Sequence, residues 1–95
     1  MDAASRHGVT PLMAAALFGH AAAAARLLGS AASVAAADAA SARTPLHYAA
    51  LGGEPAVVEA LLRGGAEQAA ADRGGLTPRD LAREAGVAQV LHLLR

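Results

Sequence analysis

Apolar residues in this 95-residue chain return in short stripes separated by glycine. Leu46, Ala49 and Ala50 stand at i, i+3 and i+4 behind Thr44-Pro45, and Gly52-Gly53 follow. Thr44 can accept from the free N–H groups of a helix start, and Pro45 suits the first helical position, where its fixed φ fits and its missing N–H is not needed. Glu54-Pro55 reads as a second start, with Val57, Val58, Leu61 and Leu62 forming a second stripe that Gly64-Gly65 ends. The spacing predicts two short antiparallel helices, neither long enough to be stable alone. Ala66 to Leu76 is rich in Ala and Gly around Asp72, which predicts an extended excursion with a tight turn.

The same arrangement occurs before and after this unit. Thr10-Pro11-Leu12 precedes Thr44 by 34 residues and Thr77-Pro78 follows it by 33. A period between about 20 and 50 residues is the mark of stacked repeats. The expected fold is therefore an all-α repeat solenoid of stacked helix-turn-helix units. It forms one domain over 1–95, with repeats at about 5–38, 39–71 and 72–95. In the first repeat Leu12, Ala15, Ala16, Leu27 and Leu28 keep the pattern, but Ala23 and Ala24 take the places of Val57 and Val58. At about 0.8 kcal/mol per buried CH₂, this makes the first repeat the soft end. The stretch from Gly29 to Arg43 is one residue longer than the next connection, and the insertion is expected near Ala39 to Ala42. In the third repeat Arg79 stands where Leu46 stands in the second, while Val90, Leu91 and Leu94 keep the stripe of a second helix. A terminal repeat needs a polar outer face, which Arg79, Arg83, Glu84, Gln89 and Arg95 would supply. No comparable polar cap shows on the first repeat, which suggests that the chain starts inside a formerly longer array.

The middle unit closely resembles the ankyrin repeat, a β-turn plus two helices over about 33 residues with a T-P-L-H-x-A core. Residues 44–50 carry that core in full. Gly53 stands at the family's inter-helix glycine, and Val57, Val58, Leu61, Leu62, Gly65, Ala66 and Asp72 match further positions. The resemblance implies β-hairpin or turn fingers between the helix pairs, a structural role for His47 and a turn role for His20. It also implies a concave face of first helices and finger tips that binds other proteins. The family's variable positions fall on Arg6, His7, Val9, Leu17, Phe18, Arg43, Leu51, Arg73, Leu76 and Glu84. Leu17, Phe18 and Leu51 would make a small exposed apolar cluster beside Arg43 and Arg73, as binding hot spots commonly do. The alternative for Phe18 is to pack over the alanine core of the first repeat.

Composition narrows the remaining choices. The chain has no cysteine, which removes disulfides, thiolate metal sites and cysteine nucleophiles, and together with the lack of a leader pattern points to an intracellular, cytoplasmic setting. Its positive mean hydropathy comes from alanine, and no window nears the roughly 18 apolar residues of a membrane span. Eight basic residues balance eight acidic ones, so nothing favours nucleic acid or an anionic membrane as partner. All the basic residues are Arg, and Lys, Asn and Ile are absent, which reads as a GC-rich coding sequence on a tolerant fold. His7, His20, His47 and His92 have no metal-ligand spacing, the glycine pairs lack a phosphate-loop pattern, and the acids are dispersed. No enzyme, metal or cofactor is expected. The expected function is that of a monomeric module binding a partner protein, the alternative being a structural spacer or fragment of a longer ankyrin array.

Overall fold

The computed structural model describes residues 10–29, 36–38 and 41–94. Among the described residues five α-helices run in order: α1 (Pro11–Leu17), α2 (Ala21–Gly29), α3 (Pro45–Gly52), α4 (Pro55–Arg63) and α5 (Pro78–Ala85), followed by a 3₁₀ helix, Ala88–Leu93. The inner helices α1, α3 and α5 pack side by side in that order, while α2, α4 and the 3₁₀ helix form a second row outside them. Among the described residues there is no strand, so the fingers that the resemblance led one to expect are turns.

Each inner helix starts in the same way. Thr10, Thr44 and Thr77 have extended backbone, and their side chains accept from the N–H three residues on, with proline at the first helical position. The residue at that third position closes a reciprocal bond from the threonine N–H, and it differs in each repeat. Met13 accepts through sulfur at 3.4 Å, His47 through Nδ1 at 3.0 Å and Asp80 through Oδ2 at 3.1 Å. The box tolerates this variety because it asks only for an acceptor of the right reach. Glu54 sits at the cap of α4 without any side-chain bond, so Pro55 and the apolar stripe set that start.

Between the two rows lies one continuous core of Leu12, Ala16, Ala24, Leu46, Ala49, Ala50, Val57, Val58, Leu61, Ala82, Val90 and Leu94. Each fully buried Leu or Val contributes about 1.5–3 kcal/mol, and most of these side chains belong to the middle repeat. Two sequence expectations change here. Ala24 is buried like Val58, but Ala23 is exposed where Val57 is fully buried. The missing methyls of the first repeat therefore weaken the core at one position, not two. The second helix of the third repeat is 3₁₀ rather than α, although Val90 and Leu94 still reach the core. Gln89, expected on the polar outer face, is exposed, and its Nε2 also donates to the Gly53 carbonyl at 3.1 Å.

Gly52 does more than end a helix. A Cβ there would lie 2.5 Å and 2.6 Å from the carbonyl oxygens of Leu17 and Ala16. The absence of a side chain is what allows α3 to approach the C-terminal turn of α1 so closely.

Candidate functional site

The fingers that flank the inner helices are built on two buried carboxylates at equivalent repeat positions. Asp38 N–H donates to the Arg43 carbonyl at 3.0 Å, and Asp72 N–H donates to the Leu76 carbonyl at 2.9 Å. These matching bonds place the extra residue of the longer connection between Asp38 and Arg43. Asp38 accepts from the Ser41 hydroxyl at 2.8 and 2.9 Å, from Ala42 N–H at 3.1 Å, from Ser41 N–H and from the Tyr48 hydroxyl on α3. Asp72 accepts from Gly74 N–H at 2.9 Å, Leu76 N–H at 3.0 Å and Arg43 Nε–H at 3.3 Å. Short polar side chains that bind nearby backbone in this way fix turns without help from a sheet.

The electrostatics follow from those contacts. Burial pushes the Asp38 carboxyl up, but the bonds from Tyr48, Ser41 and Ala42 outweigh it and hold the group below the usual carboxylate range. For Asp72 the Leu76 N–H lowers the carboxyl most, against burial, with Arg43 and Gly74 adding to the same effect. Burial and then the Asp38 carboxylate raise the Tyr48 phenol. Every buried side-chain nitrogen or oxygen among the described residues has a hydrogen-bond partner. The cluster is thus satisfied and holds shape rather than offering a reactive group.

Two further links tie neighbouring fingers together. Arg73 N–H donates to the Ser41 carbonyl at 2.9 Å, and the Arg43–Asp72 ion pair crosses between the same turns. His47, fully buried, takes the Thr44 N–H on Nδ1, so Nε2 carries the proton given to the Leu76 carbonyl at 2.8 Å. That bond joins the second inner helix to the finger of the third repeat. Sequence spacing alone could have pointed to the Asp38 and Asp72 pair, which stand 34 residues apart. Nothing in the sequence pointed to Tyr48 as the partner of Asp38.

The expected binding residues divide into three groups. Phe18 is 68% exposed at the end of α1 and is the large apolar side chain that the described surface leaves in solvent. It therefore does not pack over the alanine core, and its nearest ring partner is His20, with centroids 6.3 Å apart. Leu17, Leu51 and Leu76 are half-buried, so of the three residues expected to form an exposed apolar cluster, Leu17, Phe18 and Leu51, it is Phe18 that stands in solvent. Arg73 and Glu84 are exposed, whereas Arg43 is engaged with Asp72. Arg6, His7 and Val9 lie outside the described residues.

Among the described residues no three or more His, Cys, Asp or Glu side chains could hold a metal ion, and no helix is long and apolar enough to cross a membrane. His20 and His92 are exposed.

Comparison with known proteins agrees with the repeat geometry. No curated protein matches the chain. A family model described as ankyrin repeats (3 copies) matches residues 1–72, and these hold both complete helix pairs, the first finger and the start of the second. Ankyrin repeats are generally protein-interaction modules and typically carry no enzymatic activity. With stacked helix pairs, a shared capping box and a match over most of its length, the chain belongs to the ankyrin-repeat family.

Proposed function

We propose that the chain binds a partner protein, as a monomer, through the face formed by the ends of its inner helices and the tips of its fingers. Phe18 carries this reading. An aromatic side chain left 68% in solvent is a ready anchor, because its burial on binding releases a large apolar area from water at little conformational cost. Leu17, Leu51 and Leu76 extend the apolar centre, and Arg73 and Glu84 give it a charged rim. Arg6, His7 and Val9, which the resemblance assigns to the same face, lie outside the described residues. Arg43 acts at one remove, through its ion pair with Asp72, by keeping the finger tips in place.

A photoreactive residue at position 18, compared with one at Ala25 on the outer helix, tests this face. Partner crosslinking from position 18 and none from position 25 is the expected result. Melting temperature is measured beside capture for Phe18→Ala. Lost capture at unchanged melting supports the reading, and unchanged capture per folded molecule sinks it.

A further inference from the structure

The residue that closes the cap of each inner helix holds the same place in the three repeats, but its chemistry changes. His47 and Asp80 meet the threonine N–H through nitrogen and oxygen at 3.0 and 3.1 Å, whereas Met13 offers a thioether sulfur at 3.4 Å. Such a sulfur is a weak acceptor. The return bond, from Met13 N–H to Thr10 Oγ1, is 3.2 Å long. Met13 is 0% exposed, yet it lies outside the continuous core that Leu12, Ala15 and Ala16 join, so its main contact is with the helix start. The chain has two methionines and no cysteine, which makes the Met13 sulfur the one oxidisable sulfur among the described residues.

A thioether takes an oxygen atom from a peroxide. The S–O bond forms on a sulfur lone pair as the O–O bond breaks, the sulfide becomes a sulfoxide and hydrogen peroxide leaves as water. Here the product has two directions for its oxygen, and neither suits it. Toward Thr10 the amide nitrogen already lies 3.4 Å from sulfur, so an oxygen between them is pressed against that nitrogen unless the sulfur retreats, and the side chain is fully buried. The second repeat shows what the other direction holds, because there His47 donates from Nε2 to the Leu76 carbonyl at 2.8 Å. Arg43 has the place of Leu76 in the first finger, where its carbonyl accepts from Asp38 N–H at 3.0 Å. A sulfoxide oxygen has no proton to give, so at that position one acceptor would face another. In both cases a polar oxygen is buried without a donor, which is costly.

We infer that Met13 is an oxidation site, at which a peroxide-class oxidant releases the first repeat by breaking the capping box of α1. Opening the first turn of α1 separates Thr10 from Met13 and admits the oxidant, and the sulfoxide then keeps that turn from closing. Loss of the box loosens α1 and with it α2, which packs on α1. The starts of α3 and α5 contain no sulfur and are left intact. Phe18 stands at the other end of the loosened helix, so oxidation also disturbs the proposed binding face. The inference itself concerns the start of α1 and does not depend on that reading.

The test treats the intact folded chain with hydrogen peroxide and locates sulfoxide by peptide mass spectrometry. Met13 should gain oxygen, the melting temperature should fall by several degrees, and the amides of α1 should exchange about tenfold faster while those of α5 change little. Methionine sulfoxide reductases with dithiothreitol should restore both readings. Met13→Leu keeps the volume and Met1 but removes the sulfur at position 13, and its melting should not respond to peroxide. Met13→His, which copies the cap of the second repeat, should be equally insensitive. The inference is overturned if Met13 stays unmodified in the folded chain while it oxidises in urea, or if its sulfoxide leaves the melting temperature unchanged or raises it. It is also overturned if both variants lose as much stability in peroxide as the parent chain.

Discussion

The first and second repeats use nearly the same pattern of apolar positions and obtain different things from it. In the second repeat Leu46, His47, Val57, Val58 and Leu61 are fully buried, with a neighbour on each side of the unit. In the first repeat only one side has a neighbour among the described residues, and Leu27 remains half-buried at the position of Leu61. Polar contacts differ in the same way. His47 closes its own helix cap and bonds to the next finger as well, whereas Met13 closes the cap through sulfur and has no second polar atom to reach further. In a stack, the contribution of a residue depends on whether a neighbouring repeat lies against it, and not only on its type.

Truncation at equivalent positions gives the sharpest test of this difference. Leu61→Ala should cost about 2–5 kcal/mol, and Leu27→Ala less than half of that, in urea melts. Equal losses would show that the first repeat is as well packed as the second. Leu62 is half-buried, so Leu62→Ala should fall between them.

The close approach of α1 to α3 comes next. Gly52→Ala should lower stability by about 1–3 kcal/mol, since the Cβ meets backbone carbonyls that have no flexible side chain to move aside. Alanine is favoured over glycine inside a helix by about 1 kcal/mol. A stabilised variant would therefore mean that the two repeats can separate at no cost.

Acid stability compares the two fingers. Asp38 and Asp72 both have folded-state pKa values below the ordinary carboxylate value of 3.8. Their contribution is complete above that value and is lost as pH falls through the lower folded-state values. Asp72→Asn should cost about 1–2 kcal/mol at neutral pH and flatten the fall in melting temperature as the pH drops below about 4. An unchanged acid limb would show that Asp72 does not hold the second finger.

A smaller effect should have the opposite sign. Ala42 has φ 58° at the position where the second finger has Gly75 at φ 82°. A left-handed alanine costs roughly 1–2 kcal/mol, partly offset by the greater freedom of glycine in the unfolded chain. Ala42→Gly should then raise stability by about 0.5–1 kcal/mol, measurable as a shift in the urea midpoint. Smallest of all, Ala23→Val should change stability by less than about 0.5 kcal/mol, because Ala23 is exposed. A clear gain there would place Ala23 in the core.

Much of the architecture was legible in the sequence for a local reason. Threonine before proline favours a helix start through local bonds alone, and three such starts at steps of 34 and 33 residues marked the inner helices α1, α3 and α5 and the register of the core. The binding residues were only partly legible. The sequence could mark Phe18 and Arg43 as variable positions, but it could not show that Phe18 stays in solvent while Arg43 is held by Asp72. Those outcomes depend on what lies 29 residues away along the chain in one case, and on which side of the stack is covered in the other. The same holds for Ala23, for the backward reach of Gln89 and for the need for glycine at position 52. Periodicity records which residues share a helix face, but only the packed structure determines which faces meet a neighbour, because that depends on distances between segments far apart in the chain.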